Sequence, residues 1–318
     1  MIAMQLILNR DLEAAGQDSR KLAREAAAGR LVRVTRGAYA PSDAWNRLES
    51  WEQHRWRLIA TARSATSRPT FCRESAAVLW GLPRYRLPRA IHAVTTFEAG
   101  GRSRGGIRRH LLREDLGGAA ELEGCAVTSK LQTVLDLAVT LPFAWAVAVA
   151  DAARREDAAV QGEPLELEEL LSAARTLPSA AKIRRALAVF EFSSPLAESA
   201  GESVSRAYAY LAGFPAPELQ HQLLLRGGTT ARLDFFWKEQ GLVGEFDGAA
   251  KYTQDTLRSG RSVEQVVLAE KVREDRIRAL GLRVVRWTWS DVRSPAALAE
   301  VLAAAGLRPT RIQSRKQK

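Results

Sequence analysis

The sequence has 318 residues, which is enough for two or three domains with hydrophobic cores. Its 47 Lys and Arg against 36 Asp and Glu give a net charge of +11, which favours an anionic partner such as nucleic acid. A chain rich in Ala and Arg can also reflect the base composition of its genome, so the charge alone identifies no site.

The cysteines, the histidines and the hydropathy exclude several classes of protein. Cys72 and Cys125 are isolated, which favours a reducing, cytoplasmic setting over a disulfide framework or a Cys-based zinc site. The four histidines have none of the short spacings that metal ligands need. The first residues lack the pattern of a signal peptide, and the apolar stretch 137–150 is shorter than the ~20 residues that cross a bilayer. We therefore expect a cytoplasmic protein without a membrane partner.

The first 44 residues are predicted to form a small DNA-binding domain. Residues 9–15 have the pattern of a short helix, and a second helix, capped by Asp18 and Ser19, ends at Gly29. Residues 31–40 have the pattern of a β-hairpin. Two helices followed by a two-stranded wing make a winged helix.

The segment 29–39 resembles the N-terminal domain of AbiEi-type antitoxins from type IV toxin–antitoxin systems. The resemblance implies that the second helix enters the major groove of DNA and that the wing residues Arg33 and Arg36 contact phosphates. The alternative is a helix pair that serves only as a docking platform.

Residues 45–192 are predicted to form a helix-rich middle domain. The stretches 74–83 and 127–138 resemble the second domain of the same antitoxin-like proteins, and neither contains a nucleophile with a base nearby. Basic residues around two glycine pairs suggest an exposed hairpin that could hold a phosphate backbone, and a solvated charged loop is the alternative. These basic residues are Arg102, Arg104, Arg108, Arg109, His110 and Arg113.

Two acidic residues occupy an unusual position in the last third of the sequence. Apolar runs on either side of residues 238–241 predict a β-hairpin. If Trp237 pairs with Leu242 across the turn, Asp234 lies directly opposite Glu245. Opposed side chains in an antiparallel pair are about 5 Å apart, and like charges there destabilise the sheet.

A divalent cation between the two carboxylates would replace this repulsion with coordination. Hard oxygen ligands of this kind suit Mg²⁺ or Mn²⁺. Asp247, two residues after Glu245 on the same strand face, could join them. The alternative is that these are ordinary polar residues on the open face of a sheet.

The order of elements after residue 198 resembles the PD-(D/E)XK nuclease superfamily, and within it uncharacterised relatives of the very-short-patch repair endonuclease. The segments 270–273 and 280–287 are similar to the final helix and strand of those relatives. We therefore expect an α+β multidomain protein in which residues 199–318 form a restriction-endonuclease-like α/β domain with a mixed four-stranded sheet. Its predicted elements are a helix (200–212), three strands (219–226, 230–237 and 241–247), a helix (262–280), a strand (283–287) and a closing helix (294–305).

The resemblance also implies a metal site. Asp234, Glu245 and the main-chain carbonyl of Phe246 would hold Mg²⁺, with Asp247 and Glu202 as auxiliary ligands. Glu202 matches a glutamate on the first helix of the nuclease relatives, yet it lies opposite the apolar stripe of its own helix.

Charged residues are also expected on the core-facing stripe of the helix at 262–280. Glu270 and Arg273 lie on this stripe, where a structural ion pair and a functional role remain equally open. Arg273 or Arg286 would contact a phosphate of the substrate.

The sequence departs from the family at the motif lysine. A Glu-x-Lys pattern would place lysine at 247, where this chain has Asp247. Lys251 could take over the lysine's role of orienting the attacking water, or the metal could activate water alone.

The sequence thus predicts a Mg²⁺-dependent endonuclease that hydrolyses double-stranded DNA and is targeted by a winged helix, with a link to defence or toxin–antitoxin systems left open. The alternative is an antitoxin-like transcriptional regulator whose inactive nuclease fold is a second DNA-binding surface. RNA is less favoured as a substrate because no aromatic base-stacking platform is visible. The oligomeric state and the cleaved sequence are not predicted.

Overall fold

The computed structural model describes residues 4–95, 106–112, 116–248 and 263–310, and these have the expected α+β composition. They form two compact units. Unit 1 contains the described residues up to Thr140 together with Glu156–Ala186. Unit 2 contains Leu141–Arg155 and the described residues from Leu187 onward. Among the residues of these ranges, no helix is both long enough and apolar enough to cross a bilayer.

Unit 1 begins with a helix pair and a three-stranded antiparallel sheet in the order β1-β3-β2. The helix pair and the β2–β3 hairpin agree with the sequence expectation, whereas β1 was not expected. Trp45 and Ala60 from the next two helices share one hydrophobic core with this sheet, so a single core spans the boundary expected at residue 44. The elements are β1 (Ile7–Leu8), α1 (Asn9–Ala14), α2 (Arg20–Ala27), β2 (Leu31–Thr35), β3 (Ala38–Pro41), α3 (Ser42–Asn46) and α4 (Ser50–Ser64).

In the described residues, the middle of the chain contains two two-stranded sheets, one parallel and one antiparallel, and several helices. Its elements and the helices that follow are α5 (Arg73–Trp80), β4 (Ile91–Thr95), β5 (Ile107–Leu111), β6 (Ala120–Leu122), β7 (Cys125–Val127), α6 (Lys130–Thr140), α7 (Phe143–Arg154), α8 (Leu167–Arg175) and α9 (Ala180–Phe192). Strands β4 and β5 pair in parallel, with Ile91 opposite Ile107. Arg108 and Arg109 therefore lie on a strand that pairs in parallel, whereas residues 100, 101 and 105, around which the hairpin was expected, lie outside the described residues.

Unit 2 contains the mixed four-stranded sheet that the sequence predicts. The strand order is β11-β10-β9-β8, with β10 and β11 parallel and the other pairs antiparallel. The elements are α10 (Ala200–Leu211), β8 (Glu218–Leu224), β9 (Thr230–Trp237), β10 (Leu242–Phe246), α11 (Val263–Arg278), β11 (Arg283–Trp287) and α12 (Pro295–Ala304), with a 3-10 turn (Lys238–Gln240) between β9 and β10.

Helices pack on both faces of this sheet. On one face, Ile277 of α11 packs against Phe236 and Val243. On the other, the indole of Trp287 donates a hydrogen bond to Ser205 of α10 at 2.8 Å. Because side chains alternate along β10, the face that α11 covers also carries Glu245, which contacts Arg273 of that helix.

Helix α7 belongs to unit 2, which differs from the domain boundaries expected from the sequence. A buried ion pair joins it to α10, since Asp151 Oδ2 accepts a hydrogen bond from Arg206 at 2.8 Å. Asp151 Oδ1 also accepts one from the backbone N–H of Ser194 at 2.7 Å. The expected linker after residue 192 is thus tied to α7 within the same compact unit.

Candidate functional site

The β9–β10 hairpin has the register that the sequence predicts. Trp237 pairs with Leu242, and the ladder continues to Gly244 opposite Phe235. The β9–β10 pairing ends there, one residue short of Asp234 and Glu245. Gly241, with φ of 54°, adopts the left-handed conformation that closes the turn.

The Asp234 side chain turns toward the backbone of the neighbouring strand. Its Oδ2 accepts a hydrogen bond from the backbone N–H of Phe246 at 3.1 Å. Asp234 is therefore held beside the end of β10, next to the residue whose carbonyl was expected to bind the metal.

Glu245 is buried, with 7% of its surface exposed, and both of its carboxylate oxygens face arginines. Arg273 Nη1 lies 2.7 Å from Oε1, and Arg286 Nη2 lies 3.0 Å from Oε2. Burial raises the pKa of this carboxyl above its ordinary value, although the two guanidiniums oppose the rise. The sheet brings Arg286 there because it pairs with Glu245 in the parallel register of β10 and β11.

The two arginines contact further carboxylates. Glu270 lies 2.8 Å from Arg273 and 2.5 Å from Arg286. Arg286 also lies 3.2 Å from Glu274 and 3.8 Å from Asp247. We call these residues, together with Glu245, the carboxylate–arginine network.

Negative charge exceeds positive charge in this region. A third arginine, Arg278, pairs with Glu274 at 2.8 Å. With Asp234 included, five carboxylates face three guanidiniums, so the described residues have a formal charge of −2 here. Such an excess around a buried carboxylate favours a cation.

Glu202 is buried, and its carboxylate accepts hydrogen bonds at the start of α10. Its Oε2 accepts hydrogen bonds from the backbone N–H of Glu198 at 2.8 Å and from the Gln220 side chain at 3.0 Å. Its Oε1 accepts one from the Ser199 hydroxyl at 2.9 Å. These bonds tie the start of α10 to the residues before it and to β8, while the helix itself is capped by Ser199, whose hydroxyl accepts from the backbone N–H of Glu202. The burial of Glu202 was not expected from a position opposite the apolar stripe.

Phe246 and Asp247 lie at the C-terminal end of β10. The Phe246 ring is packed so closely on Gly201 that a Cβ there would come within 2.0 Å of it. The backbone N–H of Asp247 donates to the Trp287 carbonyl at 2.8 Å. These contacts fix the backbone at the residues expected to complete the metal site.

The remaining expected residues divide between described and undescribed parts of the chain. Lys251 and Arg104 lie outside the described residues. Arg33 and Arg36 are exposed on the β2–β3 hairpin.

Arg108 and Arg109 are exposed on β5. Their strand pairs in parallel with β4.

Sequence reasoning missed Glu274 as a member of the network. Its signal was the spacing from Glu270 and to Arg278, since residues four apart on a helix lie on one face.

Sequence reasoning also treated the histidines as separate. The parallel β4–β5 pair brings His110 Nε2 within 3.1 Å of His92 Nδ1. Even so, over the described ranges no group of three or more His, Cys, Asp and Glu side chains could hold a metal ion.

Comparison with known proteins identifies relatives but no family. No protein-family model matches the chain. The chain is similar to two proteins of Mycobacterium tuberculosis, the uncharacterized protein MT2308 of strain CDC 1551 / Oshkosh and the uncharacterized protein Rv2248 of strain H37Rv. Each is 29% identical over 184 residues, which are 56% of this chain and 65% of the relative. The chain thus spans slightly less than two thirds of the length of these relatives.

Proposed function

We propose that the protein is a metal-dependent endonuclease that hydrolyses phosphodiester bonds in double-stranded DNA, with its active site at Asp234 and Glu245. The observation that carries this proposal is the placement of the two carboxylates. Each is next in sequence to a residue of the last β9–β10 pair, the Asp234 carboxylate accepts from the N–H of Phe246 beside Glu245, and Glu245 belongs to a network in which negative charge is in excess.

Carboxylate and carbonyl oxygens suit a hard divalent cation such as Mg²⁺ or Mn²⁺, although the described residues contain no group of three or more metal-ligating side chains. Asp234 and Glu245, with the Phe246 carbonyl, would hold it, and Asp247 would be an auxiliary ligand. Glu202 is better assigned to a structural role at the start of α10, because its oxygens already accept hydrogen bonds. When bound, such an ion polarises a phosphoryl oxygen and lowers the pKa of its water.

Other residues would bind and orient the substrate. Arg273 and Arg286 are the described guanidiniums nearest to Glu245, and they would offset the charge of a phosphodiester. Lys251 would orient the attacking water, a role that the family gives to the missing lysine of the Glu-x-Lys pattern.

Unit 1 would target the enzyme to DNA. The order of α1, α2 and the β2–β3 hairpin supports a winged helix, with Arg33 and Arg36 exposed for phosphate contacts. Cys72 and Cys125 are free and buried, which agrees with a reducing cytoplasm.

A second candidate function is a DNA-binding regulator with an inactive nuclease fold. The ion pairs of Glu245 favour it, because each of its oxygens already has a guanidinium partner. A regulator would bind DNA and would not cleave it under any metal condition.

Plasmid cleavage separates the two functions. Purified protein is incubated with supercoiled plasmid in Mg²⁺, in Mn²⁺ and in EDTA. The endonuclease proposal predicts nicking or linearisation with either metal, and loss of cleavage with retained DNA binding for Asp234→Asn and Glu245→Gln. Glu239→Gln, in the 3-10 turn of the same hairpin, is the matched control and should cleave as the wild type does. If the wild type leaves the plasmid intact with both metals, the endonuclease proposal is excluded and the regulator is the remaining candidate.

A further inference from the structure

Arg273 and Arg286 hold Glu245 with geometry that a metal ion would disturb. Each guanidinium is paired with one oxygen of the carboxylate, Arg273 at 2.7 Å and Arg286 at 3.0 Å. A cation on Glu245 would have to lie within about 2.6 Å of the same oxygens. It would then meet two positive charges at close range in a site shielded from water, where repulsion is strong.

Both arginines also have partners that do not involve Glu245. Arg273 donates to Glu270 at 2.8 Å and to the backbone carbonyl of Arg232 at 2.6 Å. Arg286 pairs with Glu270 at 2.5 Å and with Glu274 at 3.2 Å. A guanidinium that leaves Glu245 therefore remains paired, which lowers the cost of the movement.

We propose that Arg273 and Arg286 form a latch on Glu245 that a phosphodiester of the substrate releases. In the DNA-free protein the latch keeps metal affinity low. A DNA phosphate offers the guanidiniums a bidentate anionic partner, and Glu245 is then free to bind the cation. This inference rests on the proposed function and names the regulation of its site.

The latch makes the binding of DNA and the binding of metal mutually dependent. If DNA raises the affinity for metal by some factor, metal raises the affinity for DNA by the same factor. The arrangement would keep a metal-loaded, hydrolytic site from forming without substrate. Arg273 and Arg286 would then be positioning residues for the reaction as well as phosphate contacts.

Direct measurement of Mn²⁺ binding tests the latch without measuring activity. Free Mn²⁺ is counted by electron paramagnetic resonance during titration of the wild type, Arg286→Gln and Arg273→Gln. Arg278→Gln is the matched control, because it removes the same charge from α11 and contacts Glu274 but not Glu245. Thermal melts followed by circular dichroism verify folding. If Arg273→Gln does not fold, Arg286→Gln carries the comparison.

A second arm adds a short DNA duplex to the wild-type protein. Asp234→Asn with the same duplex measures the Mn²⁺ that the DNA itself binds, and this amount is subtracted. The wild-type arm requires no latch variant, so the proposal stays testable even if both arginine variants unfold.

The latch predicts two results together. Arg286→Gln should bind Mn²⁺ about tenfold or more tightly than both the wild type and Arg278→Gln, within the range usual for coupled sites. The duplex should raise the wild-type affinity by a similar factor. The absence of either increase overturns the latch. In that case, Mn²⁺ binding by the wild type that is lost in Asp234→Asn would still support the proposed function. The absence of Asp234-dependent binding in every protein, with or without duplex, overturns both.

Discussion

Replacing Asp151 by alanine should destabilise unit 2 strongly. The carboxylate is fully buried and pairs with Arg206, which has 9% of its side chain exposed. It also accepts a hydrogen bond from the backbone of Ser194 at 2.7 Å. Removal of one partner of a buried pair leaves the other charge without compensation, which costs about 3–5 kcal/mol. Typical domains are stable by ~5–15 kcal/mol, so the loss is a large fraction of the total.

Hydrogen–deuterium exchange resolved by peptide is the suitable assay, because it reports on each unit separately. Peptides from β9 and β10 should lose protection in Asp151→Ala, while peptides from β2 and β3 in unit 1 serve as the internal reference. The double variant Asp151→Ala with Arg206→Met should lose less stability than the two single variants lose together, since it leaves no unpaired buried charge. A loss below about 1 kcal/mol in Asp151→Ala, or simple additivity, would refute the assignment of this pair as the link between α7 and α10.

Three further predictions concern substitutions of single residues. Gly201→Ala should lower the free energy of unfolding in urea by about 1–3 kcal/mol, because the added Cβ would lie 2.0 Å from the Phe246 ring. Gly248→Ala is the control and should lower it less, because its Cβ would make an ordinary contact of 3.6 Å with the same ring. Burial lowers the pKa of His54 from 6.5 to about 4, because it disfavours the charged imidazolium. The free energy of unfolding should therefore be highest above pH 6.5 and should fall by about 3 kcal/mol as the pH is lowered to 4. His54→Leu should flatten this part of the pH–stability curve, and an unchanged slope would contradict the assignment. Lys251→Ala should lower cleavage by about 10² to 10⁴ with little change in DNA binding, and wild-type cleavage would remove it from the site.

The C-terminal sheet was predictable because its signals are local. Short apolar runs, a four-residue turn and alternation in the strands determine both the elements and the register, so Trp237 pairs with Leu242 as expected. The strand at Arg283–Trp287 has the predicted bounds. A one-residue slip of β10 would have moved Glu245 to the other face, and the hydrophobic pattern excludes that slip.

The parallel pairing of β4 with β5 was not predictable in the same way. Glycine pairs between two short strands look like hairpin turns, but the pattern within a strand contains no information about the direction of its neighbour. The same limit explains why His92 and His110 were expected to be apart.

The allocation of α7 to unit 2 depends on a long-range contact that no local pattern contains. Asp151 and Arg206 are 55 residues apart in sequence. The burial of Glu202 likewise depends on Gln220 of β8, which reaches it from another element. Helical periodicity places Glu202 away from the apolar stripe but does not show what covers that side of the helix.

An anomalous scattering map from a crystal of the protein with duplex DNA and Mn²⁺ tests the central claim most directly. The proposed function predicts a peak at the manganese edge within about 2.6 Å of carboxylate oxygens of both Asp234 and Glu245, with Arg273 and Arg286 on a phosphate. No peak at these carboxylates in a DNA-bound crystal, with both guanidiniums still on Glu245, would contradict it.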